Sequence, residues 1–314
     1  MSILALAYAA GVRARNALYQ RGVLPAQALG GPVVSVGNLS VGGSGKTPFV
    51  IMLGRLLRDR GVPFDVLSRG YGRQTKGVAL VDPAGSPRDF GDEPLLIARR
   101  LSVPVIVGEE RFRAGELAET KFGPQLHLLD DGFQHRSLAR DFDIVLLAAE
   151  DAHDRLLPAG RLREPLSSLD RADAVVLTGE ASPGSLPVAG KLVWRIQRKI
   201  VAQNVPARPV GFCGIARPGN FFRDLASAGI EAVAEAVFRD HHRYGQADIL
   251  ELTKLKEQSQ ADGFVTTEKD AINLERYRSA LEPIAVVQVK MELAEAANAV
   301  DTMLRVVRER KAAA

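Results

Sequence analysis

The residues best able to do chemistry lie in one glycine-rich stretch, Gly37-Asn38-Leu39-Ser40-Val41-Gly42-Gly43-Ser44-Gly45-Lys46-Thr47-Pro48. An apolar β-branched run precedes it and a helix-period run follows, which is the setting of a phosphate-binding loop. Glycines let backbone N–H groups curl around phosphate oxygens with no Cβ in the way. The helix N-terminus adds a dipole that favours anions. Ser40, Val41, Gly42, Gly43, Ser44 and Gly45 therefore form the candidate nucleotide loop. Lys46 would neutralise β and γ oxygens, and Thr47 would offer its hydroxyl to Mg²⁺. Ser40 stands where the pattern G-x-x-x-x-G-K-[ST] has its first glycine, so Gly42 and Gly43 must supply the flexibility.

The second half of such a site is an acidic residue ending a hydrophobic strand. Leu126-His-Leu-Leu-Asp130-Asp131-Gly132-Phe133-Gln134-His135 supplies it. Asp130 and Asp131 would emerge beside the phosphate loop, and either can hold Mg²⁺ directly or through water. A plain turn rich in Asp and Gly is the alternative. The two motifs together predict a P-loop NTPase-type fold, but they do not say which group accepts the phosphate.

Other charged groups gather at strand ends. In Ser68-Arg69-Gly70-Tyr71-Gly72-Arg73 two arginines can fork onto phosphate. Gly91-Asp92-Glu93-Pro94 opens a helix, where Asp92 can act simply as a cap. Leu157–Pro165 carries Arg163 and Glu164, which also read as solvated loop charge. In Asp240-His241-His242-Arg243 the paired histidines do not make a zinc site. Adjacent residues rarely face one metal, and no further Cys/His cluster accompanies them. One histidine reads as an acid/base or orienting group. Thr266-Thr-Glu-Lys269-Asp270 has the wrong spacing for a guanine-reading Lys-x-Asp element and reads as a helix cap.

These groups need elements to position them. Strands are expected at Pro32–Gly37, Phe64–Ser68, Val103–Val107, Leu126–Leu129, Ile144–Ala148 and Ala174–Leu177. Helices at Thr47–Arg60, Glu93–Leu101 and Arg111–Phe122 lie between several of them. The strands are continuously apolar, the mark of strands buried on both faces of a parallel sheet. Composition shifts to Gly, Pro and Ser at Gly179–Gly190, and Leu192–Ile200 then alternates. A second α/β run follows, with strands near Val210–Gly214, Ala232–Phe238, Gly263–Thr266 and Ile284–Val289. Its helices fall near Phe221–Ala228, Ala247–Gln258 and Ala294–Arg308. The basic end, Arg308–Lys311 and three alanines, reads as a frayed helix. The expected fold class is α/β: a mostly parallel P-loop NTPase-type sheet sandwiched by helices, with a second, smaller α/β domain joined by extended linker strands.

Composition narrows the classes. The 314 residues suffice for two modest domains, and 46% apolar with 25% charged is ordinary for a folded chain. No apolar run reaches the ~18–20 residues that span a bilayer. The single cysteine, Cys213, excludes an internal disulfide framework and points to a reducing compartment. A net charge of +4 is too mild to argue for nucleic acid. Residues 1–58, however, contain no Asp or Glu, while they carry Arg13, Arg15, Arg21, Lys46, Arg55 and Arg58. That cationic end suits phosphates, on a nucleotide or on an anionic membrane. The opening run, Met1–Val12, has its arginines after the apolar stretch, opposite to a signal peptide. It reads either as a helix packed on the core or as one lying in the membrane interface.

The ordered set of motifs resembles the tetraacyldisaccharide 4′-kinase (lipid A 4′-kinase) family over nearly the whole chain. The set is Gly37–Pro48, Ser68–Arg73, Gly91–Pro94, Asp130–His135, Leu162–Pro165, Gly214–Pro218, Asp240–His241 and Thr267–Ala271. The resemblance implies transfer of the γ-phosphate of ATP, with Mg²⁺, to the 4′-hydroxyl of a tetraacylated glucosamine disaccharide 1-phosphate. The product is lipid IVA. It implies a monomer, peripheral on the cytoplasmic face of the inner membrane of a Gram-negative bacterium. Its partners are then an acylated disaccharide lipid and the membrane surface, and not nucleic acid. By analogy residues 1–22 contact the membrane, 23–190 form the kinase domain, 191–209 are linker strands and 210–314 form the smaller domain. The last helix is expected to pack back on the first domain. Asp92 matches the family's proposed base and His241 the histidine that tunes it. Lys46 and Thr47 match the loop pair, Asp130 and Asp131 the metal-side acids, and His135 the end of that motif. Arg163 matches an arginine linked to acceptor handling, with His135, Glu164, Arg69 and Arg73 grouped beside it as substrate contacts. A P-loop ATPase switch, a kinase of a soluble sugar or nucleoside, and a nicotinamide dehydrogenase are the rival readings.

Overall fold

The computed structural model describes residues 3–178 and 186–313. Part of the Gly179–Gly190 shift, residues 179–185, lies outside the described residues, as do Met1 and Ser2 of the N-terminal run. The described strands are β1 (Val33–Asn38), β2 (Phe64–Ser68), β3 (Ala79–Leu80), β4 (Val105–Val107), β5 (Leu126–Asp130), β6 (Phe142–Ala148), β7 (Ala174–Thr178), β8 (Leu192–Val201), β9 (Pro209–Cys213), β10 (Ala234–Val237), β11 (Gly263–Thr267) and β12 (Ile284–Leu293). The helices are α1 (Ile3–Gln20), α2 (Lys46–Asp59), α3 (Pro87–Phe90), α4 (Asp92–Leu101), α5 (Arg111–Phe122), α6 (Pro218–Ser227), α7 (Gln246–Gln258), α8 (Glu268–Leu274) and α9 (Ala296–Ala313).

The twelve described strands join one sheet in the order β10-β9-β11-β12-β8-β7-β6-β1-β5-β2-β4-β3. Pairing is parallel except for β3 with β4 and β8 with β12. β1 is buried along its whole length between β5 and β6. That burial accounts for its unbroken apolar run. Helices cover both faces. Phe49, Leu53 and Leu57 of α2 and Val300 and Met303 of α9 pack on one side of β1 and β5, and α5 packs on the other.

β12 joins the two halves. Its first residues pair in parallel with β11, and its last pair antiparallel with β8. β8 alternates as the sequence suggests, with Trp194 and Ile196 buried and their neighbours exposed. It is not free linker, because β7 flanks it on one side and β12 on the other.

Two elements escaped the sequence reading. β3 has two residues and α3 has four, too few to leave a hydrophobic period. The C-terminal helix corrects another expectation, since it is not frayed through Arg308–Lys311. Arg310 pairs with Asp173 at 2.6 Å, and Lys311 Nζ donates to the Leu29 carbonyl at 2.7 Å. These bonds pin the last turn to the first half of the chain.

A buried charge cluster sits at the opposite edge of the sheet from the phosphate loop. His127 Nδ1 lies 2.9 Å from Asp65 and Nε2 lies 3.2 Å from Glu119, so each ring nitrogen faces a carboxylate. Burial lowers the His127 pKa, but these two partners raise it further, and the net direction is up. A folded pKa above the unfolded value means that the contribution is full below about pH 6.5 and is lost as pH rises through the folded pKa. The stability difference between the wild type and His127→Gln should therefore shrink as pH rises from about 6.5. Chemical denaturation across that range measures it, and a pH-independent difference would contradict the charged-ring reading.

Candidate active site

Residues of β1, β2 and β5 converge at the carboxyl edge of the sheet, where ligands bind in open α/β folds. Asn38, Ser68 and Asp130 end those strands. Between this edge and the second half of the chain lies a cavity of about 520 Å³. Its first wall holds Val41–Pro48, Ser68, Arg69, Tyr71, Glu93, Asp130, Asp131 and Arg163. Its second wall includes Ala216, Arg217, Asp240, His241, Lys269 and Met291.

The phosphate loop passes close beneath the second wall. Gly42 has φ +67° and Gly43 φ +62°, conformations that favour glycine. A Cβ at Gly42 would stand 2.5 Å from the Ala216 Cβ, and one at Gly43 would stand 2.6 Å from the Arg217 Cγ. The flexibility assigned to these two glycines is thus also a close approach. Lys46, at the first turn of α2, places Nζ 3.2 Å from Asn38 Oδ1, 3.5 Å from Ser44 Oγ and 3.5 Å from Asp131 Oδ1.

The two aspartates differ sharply. Arg163 grips Asp131 with both guanidinium nitrogens, at 3.0 and 2.8 Å, and also donates to Asn38 Oδ1. Burial would raise the Asp131 pKa, but Lys46 and Arg163 hold it well below the usual carboxylate range. Asp130 is 2% exposed. Its Oδ2 accepts from Ser68 Oγ at 3.1 Å, and its Oδ1 has no hydrogen-bond partner. Burial and the charges of Glu93 and Asp131 push its pKa up. A buried carboxylate oxygen without a donor is costly and wants a cation.

Among the described residues, no group of three or more His, Cys, Asp or Glu is placed to hold a metal. Asp130 Oδ1 and the Thr47 hydroxyl nonetheless fit Mg²⁺. That ion takes oxygen donors and is usually bound by one or two protein groups together with phosphates and water.

Asp92 and His241, which are 149 residues apart in the chain, pair at the cavity; His241 lines it, whereas Asp92 is 4% exposed and stands off the wall. His241 Nδ1 lies 3.1 and 3.0 Å from the two Asp92 oxygens. Asn273 Nδ2 of α8 donates to Asp92 Oδ2 at 3.0 Å. Burial raises the Asp92 pKa, but the His241 hydrogen bond and the Lys269 charge lower it more. Asp92 is the first residue of α4, after a Gly91 cap, and its Oδ1 accepts from the Glu93 N–H at 2.9 Å. It therefore has a capping role as well as the pairing. His242 turns away and stacks on Phe238 with ring centroids 4.8 Å apart. The choice between the two histidines is thus geometric. His241 has φ +57° and Asp131 φ +50°, and such backbone conformations collect at functional sites.

Three kinds of comparison bear on this geometry. The family model described as Tetraacyldisaccharide-1-P 4′-kinase matches residues 1–308. This chain belongs to the tetraacyldisaccharide-1-P 4′-kinase family. It is 51% identical to the tetraacyldisaccharide 4′-kinase of Koribacter versatilis over 99% of this chain and 100% of that one. It is 40% identical to the enzyme of that name from Aquifex aeolicus over 84% of this chain and 86% of that one. Its structure is similar to the crystal structure of "apo" form LpxK from Aquifex aeolicus in complex with ATP. That match has a TM-score of 0.80 and 35% identity, and it covers 97% of each chain. The α/β P-loop NTPase-like fold follows from that likeness.

Not every residue singled out from the family's motifs stands on the cavity wall. Arg69 and Arg163 do. Arg73 instead pairs with Glu109 at 2.8 Å and donates to the Gly77 carbonyl. Glu164 is 2% exposed and accepts from Asn16 of α1 and from Arg171. His135 lies 3.1 Å from Ser137 Oγ. Burial and the charges of Arg111 and Arg140 drop its pKa to about 4, so the ring is neutral. Ser40 is fully buried behind the loop, in an isolated bridge with Leu162. Conversely, Tyr71, Glu93, Arg217 and Lys269 line the cavity and Asn273 braces Asp92, although the sequence reading assigned none of them to the site. Arg217 and Lys269 lay inside motifs already picked out, at strand ends, and that position was the available signal.

Proposed function

We propose that this chain transfers the γ-phosphate of ATP to the 4′-hydroxyl of tetraacyldisaccharide 1-phosphate, giving lipid IVA. One observation carries the reading: a phosphate loop with its lysine shares one cavity with His241, which pairs with the buried Asp92. Phosphoryl transfer demands mainly charge neutralisation and alignment. Lys46 and the loop N–H groups bind the β- and γ-phosphates. Arg69 and Arg163 offer further cations on the acceptor side. Asp92, buried and paired with His241, takes the proton of the attacking hydroxyl. Thr47 and Asp130 would hold Mg²⁺, which when bound neutralises charge on the transferring group. Asp131, already gripped by Arg163, keeps Lys46 and Asn38 in register.

The domain reading follows. Residues 23–190 act as the kinase lobe, 191–209 as the connection and 210–314 as the lobe that brings His241 to Asp92.

The acceptor is acylated, so the enzyme must work at a lipid surface on the cytoplasmic face of the inner membrane. No described helix is long and apolar enough to cross a membrane. α1 supports a peripheral role. Its later residues are tied down through Arg15 to the Gln134 carbonyl and Asn16 to Glu164. Its first turns expose Ile3 at 85%, Leu4 at 72% and Leu6 at 53%. Burying each leucine in lipid is worth about 1.5–3 kcal/mol, so Leu4→Glu with Leu6→Glu should weaken vesicle binding at least tenfold. Flotation with anionic vesicles measures it, and unchanged binding would remove α1 from the interface.

The reaction itself is tested with γ-labelled ATP, Mg²⁺ and tetraacyldisaccharide 1-phosphate in detergent micelles. Label in the lipid is expected. Label only in inorganic phosphate, from folded protein, would favour an ATPase switch instead.

A further inference from the structure

Lys269, at the start of α8, reaches into the site from the second half of the chain. Its Nζ lies 3.0 Å from Asp240 Oδ1, 3.2 Å from His241 Nε2, 3.5 Å from Glu93 Oε1 and 3.9 Å from Asp92 Oδ2. An ammonium has three N–H donors and no lone pair. Its contact with Nε2 is a hydrogen bond only if that nitrogen keeps its lone pair. The imidazole is then neutral, and its single proton sits on Nδ1, which faces Asp92.

We propose that Lys269 is a positioning residue for the transfer, fixing His241 as the neutral, Nδ1-protonated imidazole and so leaving Asp92 as the proton acceptor of the pair. This rests on the reading of Asp92 as the base. With its Nε2 lone pair committed to Lys269, His241 has no site for the substrate's proton. It can only donate to Asp92 and aim it.

The surrounding charges make such a device necessary. The groups that face His241 are Asp92 and Glu93 of α4, Asp240 beside it in the chain, Lys269 of α8 and the Tyr71 ring. Burial lowers the His241 pKa. Its bond and charge contact with Asp92 raise it more, Lys269 opposes that rise, and the net direction is up. Without Lys269 the carboxylates would draw a second proton onto the ring. An imidazolium beside Asp92 would make that carboxylate a poorer base. Lys269 itself keeps its charge: burial lowers its pKa, but Glu93, Asp92 and Asp240 raise it further.

The backbone holds the lysine in place. Buried Asp270 accepts from the Gly214 N–H at 2.8 Å, Tyr244 Oη at 2.9 Å and Thr267 Oγ1 at 2.5 Å. The His241 N–H in turn donates to the Gly214 carbonyl at 3.2 Å. One carboxylate therefore ties the loop that bears His241 to the helix that bears Lys269.

The test is nitrogen NMR on the full chain with ¹⁵N-labelled histidine, the His241 signal being identified among five histidines by its loss in His241→Gln. Across a pH titration the wild-type ring should lose the Nε2 proton and keep the one on Nδ1. Lys269→Met should hold the Nε2 proton to a pH at least one unit higher, and Lys269→Arg, which keeps a charged donor, should restore the wild-type titration. The acidic limb of the kcat profile in Lys269→Met should move up by at least one pH unit. That is about a tenfold loss on the acid side, recovered at higher pH. A wild-type ring that loses the Nδ1 proton and keeps the one on Nε2 would overturn the proposal, as would a Lys269→Met ring that titrates as wild type. If Lys269→Met does not fold, the wild-type and Lys269→Arg spectra decide. Undiminished kcat in Asp92→Asn together with the expected spectra would remove Asp92 as the base and leave the hold of Lys269 on the ring intact.

Discussion

Asp92→Asn is expected to cut kcat for lipid phosphorylation by about 10²- to 10⁴-fold, the usual share of a positioned general base. The asparagine keeps the volume and one carbonyl acceptor for His241 but loses the basic oxygen. ATP binding should change little, because the loop that holds the phosphates makes no hydrogen bond to Asp92. The loss should therefore appear in kcat, with the KM for ATP within a few-fold of wild type. A folding defect is not expected to mimic it. Asp92 is 4% exposed, and its partners Asn273 and His241 can still reach the amide oxygen. Steady-state kinetics at saturating acceptor separates the outcomes. Equal kcat values would mean that the Asp92–His241 pair is structural only.

Lys46→Ala should lower kcat by on the order of 10²- to 10³-fold, as loss of one preorganised charge donor does at a developing anion. Here the KM for ATP should rise as well, since the lysine also meets the ground-state phosphates. The empty place is not expected to unravel the site. Asp131 keeps its two contacts with Arg163, at 3.0 and 2.8 Å, and Asn38 Oδ1 keeps its own bond from Arg163. The melting temperature should accordingly stay close to wild type. A large drop in melting temperature with intact activity per folded molecule would assign Lys46 to stability and not to phosphate.

The phosphate half of the site could be read from the chain because its chemistry is local. A strand, a glycine loop, Lys46-Thr47 and a helix lie within one short segment, and Asp130 follows from the apolar strand that it ends. The buried parallel strands were readable for the same reason, as β2 and β5 have no exposed face to interrupt the apolar run. The proposed acceptor half is assembled from segments far apart in sequence. No spacing rule links Asp92 to His241, Lys269 or Asn273, and only the shared sheet brings them together. Asp130 and Asp131 are chemically identical neighbours. Only the fold gives one an unpartnered oxygen and the other an arginine clamp. Arg73 and Glu164 show the converse limit. Both belong to motifs with site chemistry, yet their side chains are already matched to Glu109 and Arg171. A charged residue in a motif can equally be the brace that shapes a loop.

The most direct test of the central claim is the position of the new phosphate on the product. Lipid made by the purified chain from ATP, Mg²⁺ and tetraacyldisaccharide 1-phosphate would be isolated, and the coupling between ³¹P and the sugar protons recorded. One added phosphorus coupled to the proton at C4′ is the expected result. A phosphate coupled to any other ring position, or unmodified lipid beside released inorganic phosphate, would contradict the account.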